Sequence, residues 1–217
     1  MDVIVQAFSA SNLIFLGKGL LITIWLAIVS IAVSFVFGSL LAIFRYSKTL
    51  VLAQLAFVYT EIVRNLPLIL ILYFAFFGLP EFGLQLSIFW KMAIGLILFE
   101  ISQLAEIVRG GLNSIEKGQI EAARSTGMTY RQTLFHIIIP QAFKRMIPAL
   151  VSQFITIVKD TSYTAMFGLM DVLNAAQIIW NQQFSFIFPI IILVAILYFV
   201  INFTLSSLSL RIEKKLG

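Results

Sequence analysis

Residues 19–44, GLLITIWLAIVSIAVSFVFGSLLAIF, carry no charged side chain over 26 consecutive positions. At about 1.5 Å of rise per residue, such a helix outreaches the roughly 30 Å hydrocarbon layer of a bilayer. This run therefore predicts a membrane span. It is too long for the apolar core of a signal peptide, and the residues before it form no basic leader. The preceding MDVIVQAFSASNLIFL is mildly amphipathic and fits a short surface helix.

Four more spans follow outward from the first. The second begins near Leu50 and is expected to kink at Pro67, which lacks a backbone N–H, before ending near Pro80. The third covers Ile88 to Val108, the fourth Lys144 to Phe167 and the fifth Phe186 to Leu208. Asn174, Asn181, Gln182 and Gln183 mark a polar loop ahead of the fifth. The whole chain of 217 residues agrees, with 60% hydrophobic and 12% charged residues. Soluble domains hold about 45–50% and 25% respectively. The expectation is an all-α polytopic bundle, a single transmembrane domain over 1–217 with no room for a soluble catalytic domain.

Orientation follows from the basic residues. With the N-terminus outside, 12 of the 15 Lys and Arg lie on the cytoplasmic side: Arg45, Lys48 and Arg64, six from Arg109 to Arg145, and Arg211, Lys214 and Lys215. Lys18 and Lys91 lie outside, and Lys159 is undecided. Trp25, Trp90 and Trp180 then fall near outer span ends, where amphipathic rings concentrate. The net charge of +5 is thus a topology signal and not a nucleic-acid footprint. The absence of cysteine excludes thiolate metal sites, and the lone His136 excludes imidazole clusters.

Between the third and fourth spans the chain reads RGGLNSIEKGQIEAARSTGMTYRQTLFHIIIP. Asn113 with Glu116, and Thr129 with Gln132, have capping-box spacing, and Gly127 stands where a helix end requires positive φ. The segment about 110–136 should fold as helix, tight turn, helix. Ala122 and Ala123 offer a small apolar face to another surface, and Glu121 an anionic anchor.

The run Glu121, Ala122, Ala123, three residues, Gly127, nine residues, Ile137, one residue, Ile139, Pro140 resembles the EAA loop of ABC importer permeases. Ile139 in place of Leu is its one departure. YTEIVRNLP (59–67), AEIVRGGL (105–112) and VKDTSYTAMFG (158–168) are similar to the polar amino acid uptake branch, of the histidine, glutamine and arginine permease type. The resemblance implies a type I importer permease, N-out and C-in, in the cytoplasmic membrane of a prokaryote. It also implies coupling through Glu121, Ala122, Ala123, Gly127 and Pro140 to two ATP-binding subunits that bind ATP and Mg. A second permease copy or paralogue and an extracytoplasmic amino acid-binding protein complete the expected assembly. The chain itself has no G-x-x-x-x-G-K-[ST] run with which to cradle ATP.

Ionisable groups within spans are costly and draw functional attention. Glu100, Gln103, Gln153 and Asp160 are the candidate substrate-binding residues. Glu100 either meets a substrate ammonium or has an internal partner such as Lys159 or Arg64, or is a packed, protonated carboxyl. Glu61 and Arg64, at i, i+3, are expected to pair and hold the second helix, and Glu106 with Arg109 to finish the third. A secondary transporter or channel using Glu100 and Asp160 as a relay is the alternative, although no inverted repeat is evident.

Overall fold

The computed structural model describes residues 2–47 and 50–216, without the side chains of Asp2 and of residues 212–216. Lys48 lies outside the described residues, as do the side chains of Lys214 and Lys215. The elements are α1 (Asp2–Ala7), α2 (Ala10–Tyr46), α3 (Leu50–Arg64), α4 (Leu68–Glu81), α5 (Ile88–Asn113), α6 (Lys117–Ser125), α7 (Tyr130–Phe167), α8 (Val172–Gln182) and α9 (Ile187–Leu216). No strand occurs among the described residues. Four segments (α2, α5, α7 and 184–211) are each long and apolar enough to cross a membrane, and α3 with α4 makes a fifth if the pair is one span.

That pair corrects the expected kink. The chain leaves the helix at Asn65, and α4 departs from α3 at 105°. Pro67 is the extended residue before α4, with φ −61° and ψ 134°, so it starts a helix and does not bend one. Pro80 and Pro140 behave differently. Phe74–Gly78 and Leu134–Ile138 are π turns that end two residues before Pro80 and Pro140. Widening the turn there makes room for a ring that would clash with the carbonyl four residues back.

The most extensive helix contact is between α2 and α5. Small residues permit it: a Cβ added at Gly38 would lie 3.0 Å from the Ile101 carbonyl oxygen. In lipid, where apolar burial gives helices little reason to associate, such close packing supplies the attraction. One core cluster joins Ala42 of α2, Leu104, Val108 and Leu112 of α5, and Leu134, Ile138, Ala142 and Leu150 of α7. A second, with Leu16, Val172, Ala175, Ile179 and Ile190, ties α8 to α2 and α9.

Residues 172–182 are not the polar loop expected. They form α8, capped by Asp171, whose Oδ1 accepts from the Asn174 backbone N–H at 2.8 Å. Val172, Ala175, Ala176 and Ile179 are buried in helical register, while Asn181 and Gln182 lie exposed near its end. The fourth span likewise starts earlier than Lys144. Its helix is continuous from Tyr130, and it tightens to a 3-10 stretch over Thr161–Phe167.

Candidate functional site

Two groups of residues converge along α5, and the first is the helical hairpin that follows it. Asn113 does not cap a new helix. It is the last residue of α5, and Glu116 occupies the N-cap of α6 without a side-chain cap bond. The helical pattern of α5 outlasts the charged Arg109, so the next helix is capped three residues after the Asn113 signal. At the second position the cap forms as its spacing predicts: Thr129 and Gln132 close a reciprocal capping box. Between them Gly127 takes φ +87°, and Met128 N–H donates to the Ala123 carbonyl at 3.3 Å. A residue with a Cβ is strained at that φ.

The hairpin is anchored through its apolar side. Ala123 is buried, whereas Glu121 and Ala122 are exposed, so the two alanines do not form the shared outer face anticipated. Helical geometry turns consecutive residues about 100° apart. Arg124 donates to the Met128 carbonyl at 2.9 Å and does not pair with Glu121. Ile115, Leu134 and Ile138 sit in the same cluster as Leu104 and Val108. Arg145 of α7 hydrogen-bonds the Ser114 carbonyl. The exposed Pro140 lies within the unbroken α7, so the hairpin leads straight into a span.

Charge around the hairpin is organised by Glu106. Arg109 bonds it through Nε at 3.1 Å and Nη2 at 2.7 Å, Arg45 bonds it through Nη1, and Arg64 Nη1 stands 3.8 Å away. The expected Glu61–Arg64 pair is not formed; Arg64 reaches across to the more deeply set Glu106, which α3 brings near. Arg45, which also donates to Thr60 at 2.8 Å, was missed by the sequence reading. It lies far away in sequence, at the end of α2, where nothing local marks a partner.

The second group is the candidate binding set. Glu100 is fully buried, and its Oε2 accepts from Gln153 Nε2 at 2.8 Å. Its Oε1 has no hydrogen-bond partner among the described residues. Neither Lys159 nor Arg64 forms an ion pair with it. Lys159 is exposed, and Arg64 is committed to Glu106 at the other end of the interface. Asp160 and Gln103 are partly buried, and Asp160 is close enough to act on Glu100 electrostatically. The structure thus brings Glu100 and Gln153 into contact, with Asp160 nearby. Among the described residues no hydrogen bond joins the Gln103 side chain to them.

The geometry can be set beside known proteins. A profile described as binding-protein-dependent transport system inner membrane component matches residues 34–217. The chain belongs to this family. It is 48% identical over 211 residues to the probable glutamine ABC transporter permease protein GlnP of Bacillus subtilis (strain 168), covering 96% of this chain and 97% of that one. It is 33% identical to the arginine transport system permease protein ArtQ of the same organism, covering 93% and 92%. Its fold matches a crystal structure of an amino acid ABC transporter with histidines at TM-score 0.86 and 32% identity, over 93% of this chain and 94% of that one. As in the family's description, the chain is a membrane component with several apolar helices.

Proposed function

We propose that this protein is the transmembrane subunit of an ABC importer that moves polar amino acids across the cytoplasmic membrane of a bacterium. The N-terminus lies outside. Arg45, Arg64, Arg109, Arg124 and Arg145 all belong to or adjoin the hairpin end of the bundle, as the cytoplasmic side requires. The names of the relatives, which concern glutamine and arginine, support an amino acid as cargo.

One observation carries the mechanism: the hairpin shares a core with α2 and α5 and runs without interruption into α7. An ATP-binding subunit gripping Glu121 and Ala122 would therefore move α7 as a rigid lever. Two such subunits, holding ATP and Mg, would close on one another and draw two permeases with them. Switching then needs only contacts that differ between two packed states. The permease has no nucleotide site of its own, and an extracytoplasmic binding protein delivers the cargo.

Asp160, Gln153 and Gln103 are the partly accessible polar groups for the amino acid, with Glu100 held behind Gln153. A substrate ammonium that displaced the Gln153 amide would find the unpartnered carboxylate oxygen. The test is reconstitution with the partner ATPase and binding protein in vesicles, and uptake of radiolabelled arginine, glutamine, glutamate and cystine. ATP-dependent accumulation of one or more supports the reading; flux driven by an ion gradient without the ATPase refutes it.

A further inference from the structure

Where α2 and α5 end against the start of α7, the protein forms a half-open cavity of about 560 Å³. Arg45, Tyr46, Arg109, Asn113, Tyr130 and Thr133 supply its polar walls, and no carboxylate is among its lining residues. Glu106 is already shared by Arg45, Arg64 and Arg109. Even counting Glu61, whose charge reaches Arg109, three cations against two acids leave one positive charge in excess. Arg109 spends Nε and Nη2 on Glu106, and its Nη1 has no partner among the described residues.

We propose that this cavity binds a phosphate group, presented either by an anionic lipid headgroup or as the free ion. Guanidinium forks match phosphate oxygens in geometry, and hydroxyl and amide donors complete such sites. Its position agrees. Arg45 directly follows the uncharged run 19–44, so the cavity lies at headgroup level, where basic pockets between spans hold lipid phosphates. The walls also come from two bodies: Arg45 and Arg109 from the bundle, Tyr130 and Thr133 from the hairpin. A bound phosphate would bridge them and fix the angle at which the hairpin is presented.

The test uses the permease assembled with its ATPase. In one arm the complex is taken from vesicles of phosphatidylcholine with or without phosphatidylglycerol, and retained lipid is measured by native mass spectrometry. In the other, radiolabelled inorganic phosphate is bound in detergent by equilibrium dialysis. Arg109→Gln should weaken the arm that binds about tenfold, the equivalent of one charge-assisted contact of about 1.4 kcal/mol. Because Arg109 also holds Glu106, the double variant Tyr46→Phe/Tyr130→Phe accompanies it. That variant leaves the ion cluster intact and should weaken binding several-fold. Selective retention of phosphatidylglycerol assigns the site to lipid, and saturable binding of phosphate alone assigns it to the free ion. No binding in either arm overturns the proposal, as does binding that the double variant leaves unchanged.

Discussion

Glu106 and Glu100 stand six residues apart on the same helix, yet one is surrounded by three arginines and the other by a single glutamine. The difference separates an acid that ties three helices together from one that no cation accompanies. Around Glu106 three ion pairs tie α2, α3 and α5 together beside the hairpin. Around Glu100 nothing among the described residues supplies a compensating cation, and one carboxylate oxygen is left without a hydrogen bond. A buried group held so incompletely is disfavoured unless a second state satisfies it.

The largest effect should come from the compensated end. Glu106→Ala strands its arginines against one another. It is expected to cost toward the lower end of the roughly 3–5 kcal/mol typical of broken buried pairs, since Arg64 and Arg109 are partly exposed. Thermal unfolding of the purified complex reads the loss; an unchanged midpoint would mean that the cluster carries no stability. Gly127→Val, in the hairpin beside that cluster, adds about 1–2 kcal/mol of left-handed strain. It should leave the permease inserted while abolishing ATP-driven uptake, which is measured in vesicles beside ATP hydrolysis; normal uptake refutes the lever.

Asp171 tests the contrast from a third acid, outside the spans. Burial pushes its carboxyl up to about 7, against backbone hydrogen bonds, chiefly from Asn174, that pull it down. In the unfolded chain the group ionises near about 3.9. The contribution of Asp171 to stability should therefore be greatest below about pH 4, fall as pH rises toward about 7, and level off above. Asp171→Asn should remove that slope in a series of unfolding midpoints, and an equal slope in the variant would contradict the assignment.

The smallest change in stability belongs to Glu100→Gln, under about 1 kcal/mol, because it keeps the shape of the side chain and an acceptor for Gln153. Its effect should appear in the uptake profile across amino acids. Identical profiles would make Glu100 a packing residue like any other.

Much of this was legible because lipid and caps leave local marks. The 19–44 run, Thr129 with Gln132, and Gly127 each state their structure within a few residues. What escaped needed partners distant in sequence, or patterns masked by composition. Arg45 meets Glu106 only once α2 and α5 pack, and the Glu61–Arg64 pairing failed because a better-placed acid stood on another helix. The π turns before Pro80 and Pro140 have no sequence signature beyond the prolines. For α8 the signal was present: Asp171 at the cap and Val172, Ala175, Ala176 and Ile179 at helical spacing, beneath amides that suggested a loop.

The proposed coupling requires the hairpin to lie inside the cell against an ATPase. The chain has no cysteine, so Glu121→Cys provides a single thiol on the hairpin's exposed face. A membrane-impermeant maleimide should leave this thiol unlabelled in intact cells, label it after permeabilisation, and be blocked when the ATP-binding subunit is present. Labelling in intact cells would contradict the central claim.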